Sequence, residues 1–381
     1  KSTMINYISF LFKDKQKIFL ANTNPAVENL RRKVTAEHAE FVTITKFLSK
    51  DVSNDCDILC LDECSTISNR DMVRVLQRAQ CKLLVLVGDI YQIESILFGN
   101  WFNIAYKVMP KDSVAELTRP HRTTVQGLIE VWNKVREITE DRLEFITRNG
   151  LSSTLDESIF SRTEEDEIVL CLNYDGIYGI NNINKFLQSN NVNPSINWGV
   201  LSYKVGDPVL FNESNRFAPL VYNNLKGKIL QIEEEEDCIY FTIEVYTVLN
   251  ELDVIGFDLE LKESVTDETS VIRFKVGRGG DGNDDNDNVE NVVPFQVAYA
   301  ISIHKAQGLE YESVKVVITS EIEEMVSHNI FYTAITRAKS KLKIYWSPET
   351  EKRILENMKV QFNDKDYQLF KAKYKEALLK S

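Results

Sequence analysis

Two short apolar runs, residues 58–61 (ILCL) and 83–87 (LLVLV), bracket a segment in which charged and apolar side chains interleave. Neither run is long enough for a helix, and neither alternates as a half-buried strand would. Continuous runs of this length predict strands covered on both faces, as in a parallel sheet. Between them Arg70, Arg74, Gln77 and Arg78 alternate with Met72, Val73, Val75, Leu76 and Ala79 at helical spacing. The unit is strand, helix, strand, with a right-handed crossover.

The same patterning extends in both directions. An apolar helix opens the chain (MINYISFLF, 4–12), KIFLA (17–21) is a short buried strand, and NTNPAVENLRRKV is a turn entering a helix. VTITKFL (42–48) is a further element, and a long charged helix is expected from the 116–124 segment to about residue 149. EIVLCL (167–172) reads as a strand and GINNINKFLQ as the helix after it.

From residue 204 the texture changes. VGDPVLF, YNNLKGKILQI, DCIYFTIEVYTVL and SVIRFKV are β-type segments separated by turns, which predicts a small antiparallel barrel inserted in an α/β domain. Parallel-sheet texture returns with VVPFQVAYAISIHKAQGLEYESVKVVI. NIFYTAITRAKSKLKIYW then gives a helix carrying Arg337 and a last buried strand. The expected division is a first α/β domain at 1–115 and a second at 116–203 and 291–348. The barrel occupies 204–290, and a helical tail 349–381.

Composition narrows the class. The 381 residues, 43% hydrophobic and 27% charged, fit a globular protein of more than one domain. No apolar run reaches membrane-spanning length and no signal peptide is visible, so a cytoplasmic protein without membrane contact is expected. The six cysteines contain no CxxC pair and read as buried thiols in a reducing compartment. A net charge of −12 counts against a nucleic-acid binder, although much of the acid is concentrated at 163–167, 233–237 and 281–290.

Chemistry gathers where the strands end. Asp62-Glu63 follow the first run, Gly88-Asp89 the second, and Gln92 lies just beyond. Ligands of open α/β sheets bind outside the carboxyl ends of the strands. Carboxylates there suit a divalent cation on a nucleotide phosphate; the plainer alternative is a helix N-cap. Lys1-Ser2-Thr3 before an apolar helix match the end of the phosphate loop GxxxxGK[ST], whose glycines are expected to precede residue 1.

Together these pieces resemble superfamily 1 helicases, in their RecD-like branch. LCLDECS resembles the DEAS-type Walker B box, LVGDIYQI the GDxxQL box, and the Arg122 segment the arginine-bearing fourth motif. AYAISIHKAQGLEY is similar to the AYAxTxHKxQGxE box, FYTAITRAK to YTAxTRAK, and ANTNPAV with VTITKFL to the APTGxAA…TxH pair. KVGDPVLF…NNLKGKI resembles the signature of a Src-homology-3-type barrel that this branch inserts in its second core domain. The motifs fall in the family's order and span nearly the whole chain.

The resemblance implies two tandem RecA-like parallel-sheet domains with ATP and Mg²⁺ at their interface. It further implies ATP-driven movement on single-stranded nucleic acid, DNA favoured over RNA, from 5′ to 3′. On that basis Lys1, Ser2 and Thr3 bind the nucleotide, and Ser2 and Asp62 hold Mg²⁺. Glu63 activates the attacking water, Gln92 senses the γ-phosphate, and Arg122 and Arg337 reach the phosphates from the second domain. Gly308 and Glu310 are nucleotide-side groups. Thr23, Thr43, Thr45, Tyr91, Ser302, His304 and Thr333 line the nucleic-acid path.

Departures shape the expectation. Pro25 replaces the usual cation of the first-domain nucleic-acid box, and only residues 49–55 stand where the family builds a strand-splitting hairpin. Translocation is therefore better supported than unwinding, and a protein partner could supply the missing element. The rival reading is an NTP-operated switch or assembly subunit that uses the same core to regulate a partner.

Overall fold

The computed structural model describes residues 1–49, 54–93, 99–117, 122–212, 216–218, 220–264, 266–278, 291–359 and 364–380, without the side chains of Ser2, Pro25 and 374–380. The chain divides into two compact units. The first comprises Lys1–Asn149, Glu324–Ser340 and Glu351–Ser381, and the second Gly150–Glu323 with Lys341–Thr350.

In the first unit α1 (Ser2–Leu11) leads to β1 (Lys17–Ala21), followed by α2 (Asn24–Lys33), β2 (Ala39–Thr43), α3 (Ile44–Leu48) and β3 (Asp55–Leu61). Then come α4 (Asn69–Arg78), β4 (Gln80–Leu86), α5 (Trp101–Val108), α6 (Gln126–Glu137) and α7 (Arg142–Arg148). The strands form one parallel sheet in the order β2-β1-β3-β4. Burial of β1 on both faces and of Ile58–Leu61 in β3 follows from their unbroken apolar runs. β4 departs from the expectation. It is an edge strand, and its Leu83 is 39% exposed.

The opening helix forms as expected, and one further reading needs correcting. The apolar opening helix buries Ile5 but turns Phe10 and Leu11 to the exterior. The long helix expected through residue 149 is broken at Ile138, which takes a left-handed φ of +52°. Thr139 and Lys134 both bond the Asp141 carboxylate, holding the connection to α7.

In the second unit β5 (Ser152–Ser153), β6 (Glu167–Cys171) and α8 (Ile180–Ser189) precede a hairpin of β7 (Ser195–Trp198) and β8 (Leu201–Lys204). β9 (Pro208–Phe211), β10 (Lys226–Glu234), β11 (Cys238–Val245), β12 (Glu260–Lys262), β13 (Ser270–Gly277) and β14 (Phe295–Val297) form a six-stranded sheet. Its order is β12-β13-β11-β10-β9-β14 and every pairing in it is antiparallel. Where a barrel was expected, the described residues give this sheet around one aromatic core. Alternation decides its faces: Ile239, Phe241, Ile243 and Val245 point inward from β11. Phe241 and Phe295 meet edge to face at 5.0 Å.

β15 (Ala300–Ser302) and β16 (Tyr311–Val317) return to the parallel pattern, and α9 (His328–Ile335) follows. β17 (Ala338–Tyr345), α10 (Pro348–Asn357) and α11 (Asp364–Lys380) complete the chain. The second parallel sheet has the order β15-β6-β16-β17-β5.

The observed divisions differ from those expected at 115/116 and 290/291. Residues 116–149 belong to the first unit with α9, because Trp132 Nε1 donates to the Ile335 carbonyl (3.0 Å) and His328 Nε2 meets the Val135 carbonyl (2.9 Å). The antiparallel sheet extends past 290, since β14 pairs with β9.

One buried carboxylate ties the antiparallel sheet to its surroundings. Asp207, fully buried, accepts bonds from the Lys204 amide (2.9 Å), Gln188, Asn191 (2.8 Å) and Tyr299 Oη (2.8 Å). The Asp of the VGDP signature therefore has a structural role, and replacing it strands four donors in a dry place. Asp207→Ala is expected to cost about 2–4 kcal/mol, read as a lower urea midpoint for the second unit. An unchanged midpoint would contradict this role.

Candidate functional site

β3 carries its apolar run to Leu61 and ends in charge. The Asp62 amide still bonds the Leu20 carbonyl (2.8 Å), extending the β1–β3 ladder by one step. Glu63 then takes a left-handed backbone (φ +50°, ψ +42°), a strain of about 1–3 kcal/mol for a residue with a Cβ. Thr66 Oγ1 donates to its carbonyl (2.8 Å) and the Cys64 amide to Val87 O (2.9 Å), so the turn is held from both sides.

The turn presents two carboxylates to one place. Asp62 is 8% exposed, and its Oδ1 is buried without a hydrogen-bond partner; so is Oε2 of Glu63. Lys1 Nζ lies 4.0 Å from that Oε2, with the Lys1 side chain 29% exposed. The electrostatics separate the pair. Burial, then the Glu63 charge, raises Asp62 to about 6. Glu63 is held below its ordinary value, first by Lys1, then by Arg337 and Arg122, against the cost of burial. Burial opposes the charge of Lys1, but Glu63, Asp89 and Asp62 together outweigh it and its pKa rises. Buried acceptors without donors beside three cations form a site shaped for a charged ligand. The donor chemistry of Asp62 fits a hard divalent cation.

The end of β4 supplies the second part. Gly88 is required by close approach, because a Cβ there would stand 2.5 Å from the Phe102 ring. Asp89 accepts from the Tyr91 amide (3.0 Å) and from Gln92 Nε2 (3.3 Å), which fixes the buried Gln92 side chain. α9 grips the same turn. Asn329 donates to the Gln92 carbonyl (2.8 Å), and the Ile93 amide to Thr333 Oγ1 (3.0 Å).

Arg337 follows directly on α9 and is 1% exposed. Its Nε donates to the Thr333 carbonyl (2.9 Å) and Nη2 to Thr336 Oγ1 (3.3 Å); Arg122 donates to the Thr336 carbonyl. Two guanidinium groups at a helix C-terminus also complement its dipole. Both arginines were expected to come from the second domain. Contacts assign them to the same unit as Lys1, Asp62, Glu63 and Gln92.

The residues expected on a nucleic-acid path are more scattered. Thr23 and Thr43 are N-caps of α2 and α3, accepting from the Ala26 and Lys46 amides, and Thr45 is exposed one position into α3. Each cap hydroxyl still has its proton to donate. Tyr91 packs beneath Arg136 (4.8 Å) and edge-on to His328 and Tyr332 (6.1 Å each). Thr333 is fully buried and engaged with Ile93, so it offers nothing to a strand in this conformation.

In the second unit Ser302 is buried at the end of β15, its Oγ accepting from the Lys305 amide (3.2 Å), and His304 next to it is exposed. Gly308 sits at φ +81°, and the Glu310 carbonyl accepts from Lys226 (3.2 Å). Thr3 is exposed on α1. The side chains of Ser2 and Pro25, and residues 50–53, 118–121 and 281–290, lie outside the described part. Asp89 was expected among the acids at the strand ends but given no specific role, and Arg136 was not anticipated. The GD pair signalled Asp89, whereas no local pattern marks Arg136.

A family model for a AAA domain matches residues 1–156, and one for a UvrD-like helicase C-terminal domain matches 297–345. Among curated relatives, the RecBCD enzyme subunit RecD of Mycolicibacterium smegmatis is 22% identical over 336 residues, covering 80% of this chain and 52% of that one. An uncharacterised protein of Methanocaldococcus jannaschii is 24% identical over 354 residues, covering 77% and 29%. The chain thus spans about half, or less, of the length of these relatives. Among solved structures, Pif1 helicase from Candida albicans superposes with a TM-score of 0.52 at 18% identity, covering 93% of this chain and 92% of that one. Pif1 helicase from Bacteroides in complex with ADP-AlF3 and ssDNA gives 0.51 at 16%, covering 91% and 86%. The fold is that of two RecA-like domains.

The packing around Tyr91 carries a pH dependence. Burial lowers the pKa of His328 below its ordinary 6.5, with Arg142 adding to and Asp89 opposing the shift. An unfolded chain therefore takes up this proton first, and stability falls as pH drops below about 6.5. The thermal midpoint should decline between about pH 7.5 and pH 5.5, and His328→Gln should flatten that decline. Equal slopes in both proteins would remove His328 as the cause.

Proposed function

Because the chain belongs with the superfamily 1 helicases, on their RecD-like and Pif1-like side, we propose that it is an ATP-driven motor on single-stranded DNA. The observation that carries this reading is the buried pair Asp62 Oδ1 and Glu63 Oε2, neither with a hydrogen-bond donor, with Lys1, Arg337 and Arg122 acting on Glu63 in one unit. A triphosphate would bring negative charge to the place where Lys1, Arg337 and Arg122 already act on Glu63. Asp62, with Ser2, would hold Mg²⁺, which when bound neutralises charge on the phosphates.

The 4.0 Å pairing of Lys1 with Glu63 supports an exchange of partners. Lys1 moves its ammonium from Glu63 to the β- and γ-phosphates. Glu63 then loses the largest influence holding its pKa down and becomes a better proton acceptor as substrate arrives. It orients the attacking water and takes its proton. Gln92, kept in position by Asp89, bonds the γ-phosphate, and the permanently charged Arg122 and Arg337 stabilise charge in the transition state.

Exposed His304 and the hydroxyls of Thr23 and Thr45 would contact the strand backbone, giving sequence-independent grip. A solved Pif1 relative holds ssDNA, which favours DNA over RNA, and the family resemblance favours 5′ to 3′ movement. The relative named as a RecBCD subunit keeps a protein partner within the proposal. A net charge of −12 favours the switch reading, in which nucleotide binding regulates a partner without travel along a strand.

ATPase assays on a chain carrying a complete GxxxxGKST loop separate these readings. Single-stranded DNA should raise turnover, the rise should shrink with salt, and His304→Ala should reduce it. A flat response to every strand at low salt would give the protein to the switch. Glu63→Gln should retain nucleotide affinity within about tenfold, or 1.4 kcal/mol, while turnover falls about 10²-fold or more. Near-parental turnover in that variant would exclude Glu63 as the base.

A further inference from the structure

Lys226, on β10 of the antiparallel sheet, reaches out of that sheet to two segments of the parallel one. Its Nζ donates to Asp166 Oδ1 (2.6 Å) and to the Glu310 carbonyl (3.2 Å). The ammonium also lies over the rings of Tyr311 (4.1 Å) and Tyr246 (5.3 Å), and the side chain is 21% exposed. Asp166 answers with its other oxygen. Oδ2 accepts from the Glu312 amide (3.2 Å), and its carbonyl accepts from the Ser313 amide (3.1 Å). One lysine and one carboxylate thus bind β10, the residue before β6 and the start of β16 into a single joint.

The joint lines a cavity of about 450 Å³, which Arg162, Lys228, Tyr246 and Tyr299 also border. It stands at the amino ends of β6 and β16, whereas ligands of such sheets bind at the carboxyl ends. Its cations are already engaged: Lys228 with Glu165, and Arg162 over the Tyr299 ring with a bond to the Glu165 carbonyl. This is the arrangement of a fastening.

What it fastens is the HKAQGLE segment. That segment leaves β15 at Ser302, exposes His304, reverses at Gly308 (φ +81°) and enters β16 after Glu310. Its return limb has its carbonyl at Glu310 and its amides at Glu312 and Ser313 held by Lys226 and Asp166. We propose that Lys226 is a positioning residue: through the Glu310 carbonyl it makes the antiparallel sheet the support that fixes the HKAQGLE turn, so that strand contact at His304 is transmitted to Glu310. This deepens the motor reading and rests on it.

The test uses Lys226→Met, which keeps a long unbranched apolar side chain and removes the charge and donors, with Lys226→Arg as the conservative rescue. Amide hydrogen exchange is measured first, without nucleotide or strand. Exchange at residues 308–313 should quicken by about tenfold or more in Lys226→Met, stay near parental in Lys226→Arg, and be unchanged across β11 and β13. In ATPase assays, strand stimulation should fall by about fivefold or more, while strand affinity stays within about threefold, because a coupling has been lost.

Unchanged exchange at 308–313 overturns the proposal, as does faster exchange throughout β9–β13, which would make Lys226 a support of its own sheet. Retained stimulation with a loosened turn also overturns it. If the parent shows no strand response, the motor reading fails, and the exchange result alone then decides whether Lys226 holds the turn.

Discussion

A buried strand must end somewhere, and β3 ends by pushing two consecutive carboxylates into a place where water is scarce. Neither Asp62 Oδ1 nor Glu63 Oε2 has a donor, and the Glu63 backbone is strained to present its side chain. Such an arrangement persists only when surrounding structure overdetermines it. Here β1 and β4 hold the turn through the Leu20 and Val87 carbonyls, and Lys1, Arg122 and Arg337 supply opposing charge. α9 in turn closes over the 89–93 segment. The first unit can be understood as the scaffold that keeps this charge cluster assembled.

Its two carboxylates, adjacent in sequence, are driven to opposite behaviours. Asp62 is the deeper of the two and takes a proton more readily, whereas Glu63 faces the cations and stays ionised. Division of roles between neighbouring acids by environment is a recurring basis of acid–base chemistry.

Much of this was legible in the chain. The runs at 58–61 and 83–87 mark β3 and β4 because each strand ends in an unbroken apolar run. The period-2 pattern of β11 and β13 marks the antiparallel sheet. The acids and Gln92 stood out because they end those strands. Hidden features depend on partners distant in sequence. Nothing near Thr333 shows that its hydroxyl will be consumed by Ile93, 240 residues away, and Arg136 has meaning only once Tyr91 lies beneath it. Lys226 looks like one more surface lysine until Asp166 and Glu310 are brought beside it. The break at Ile138 escaped because a β-branched residue is the wrong type for a left-handed position.

The division into two units has a consequence for how the chain acquires its structure. The polypeptide changes unit at 149/150, 323/324, 340/341 and 350/351, so neither unit is a continuous stretch. The first contains residues separated by more than half of the chain, and α9 docks on α6 only after the whole intervening portion exists. During synthesis the β1–β4 sheet must wait, its charge cluster lacking Arg337 and its 89–93 turn uncovered, until that later sequence emerges. Long-range closure of this kind is slow and leaves apolar surface open in the interval. The strands of the second unit's antiparallel sheet, which end at Val297, therefore all emerge before Arg337 can join the first unit's site, although the site's carboxylates are made first.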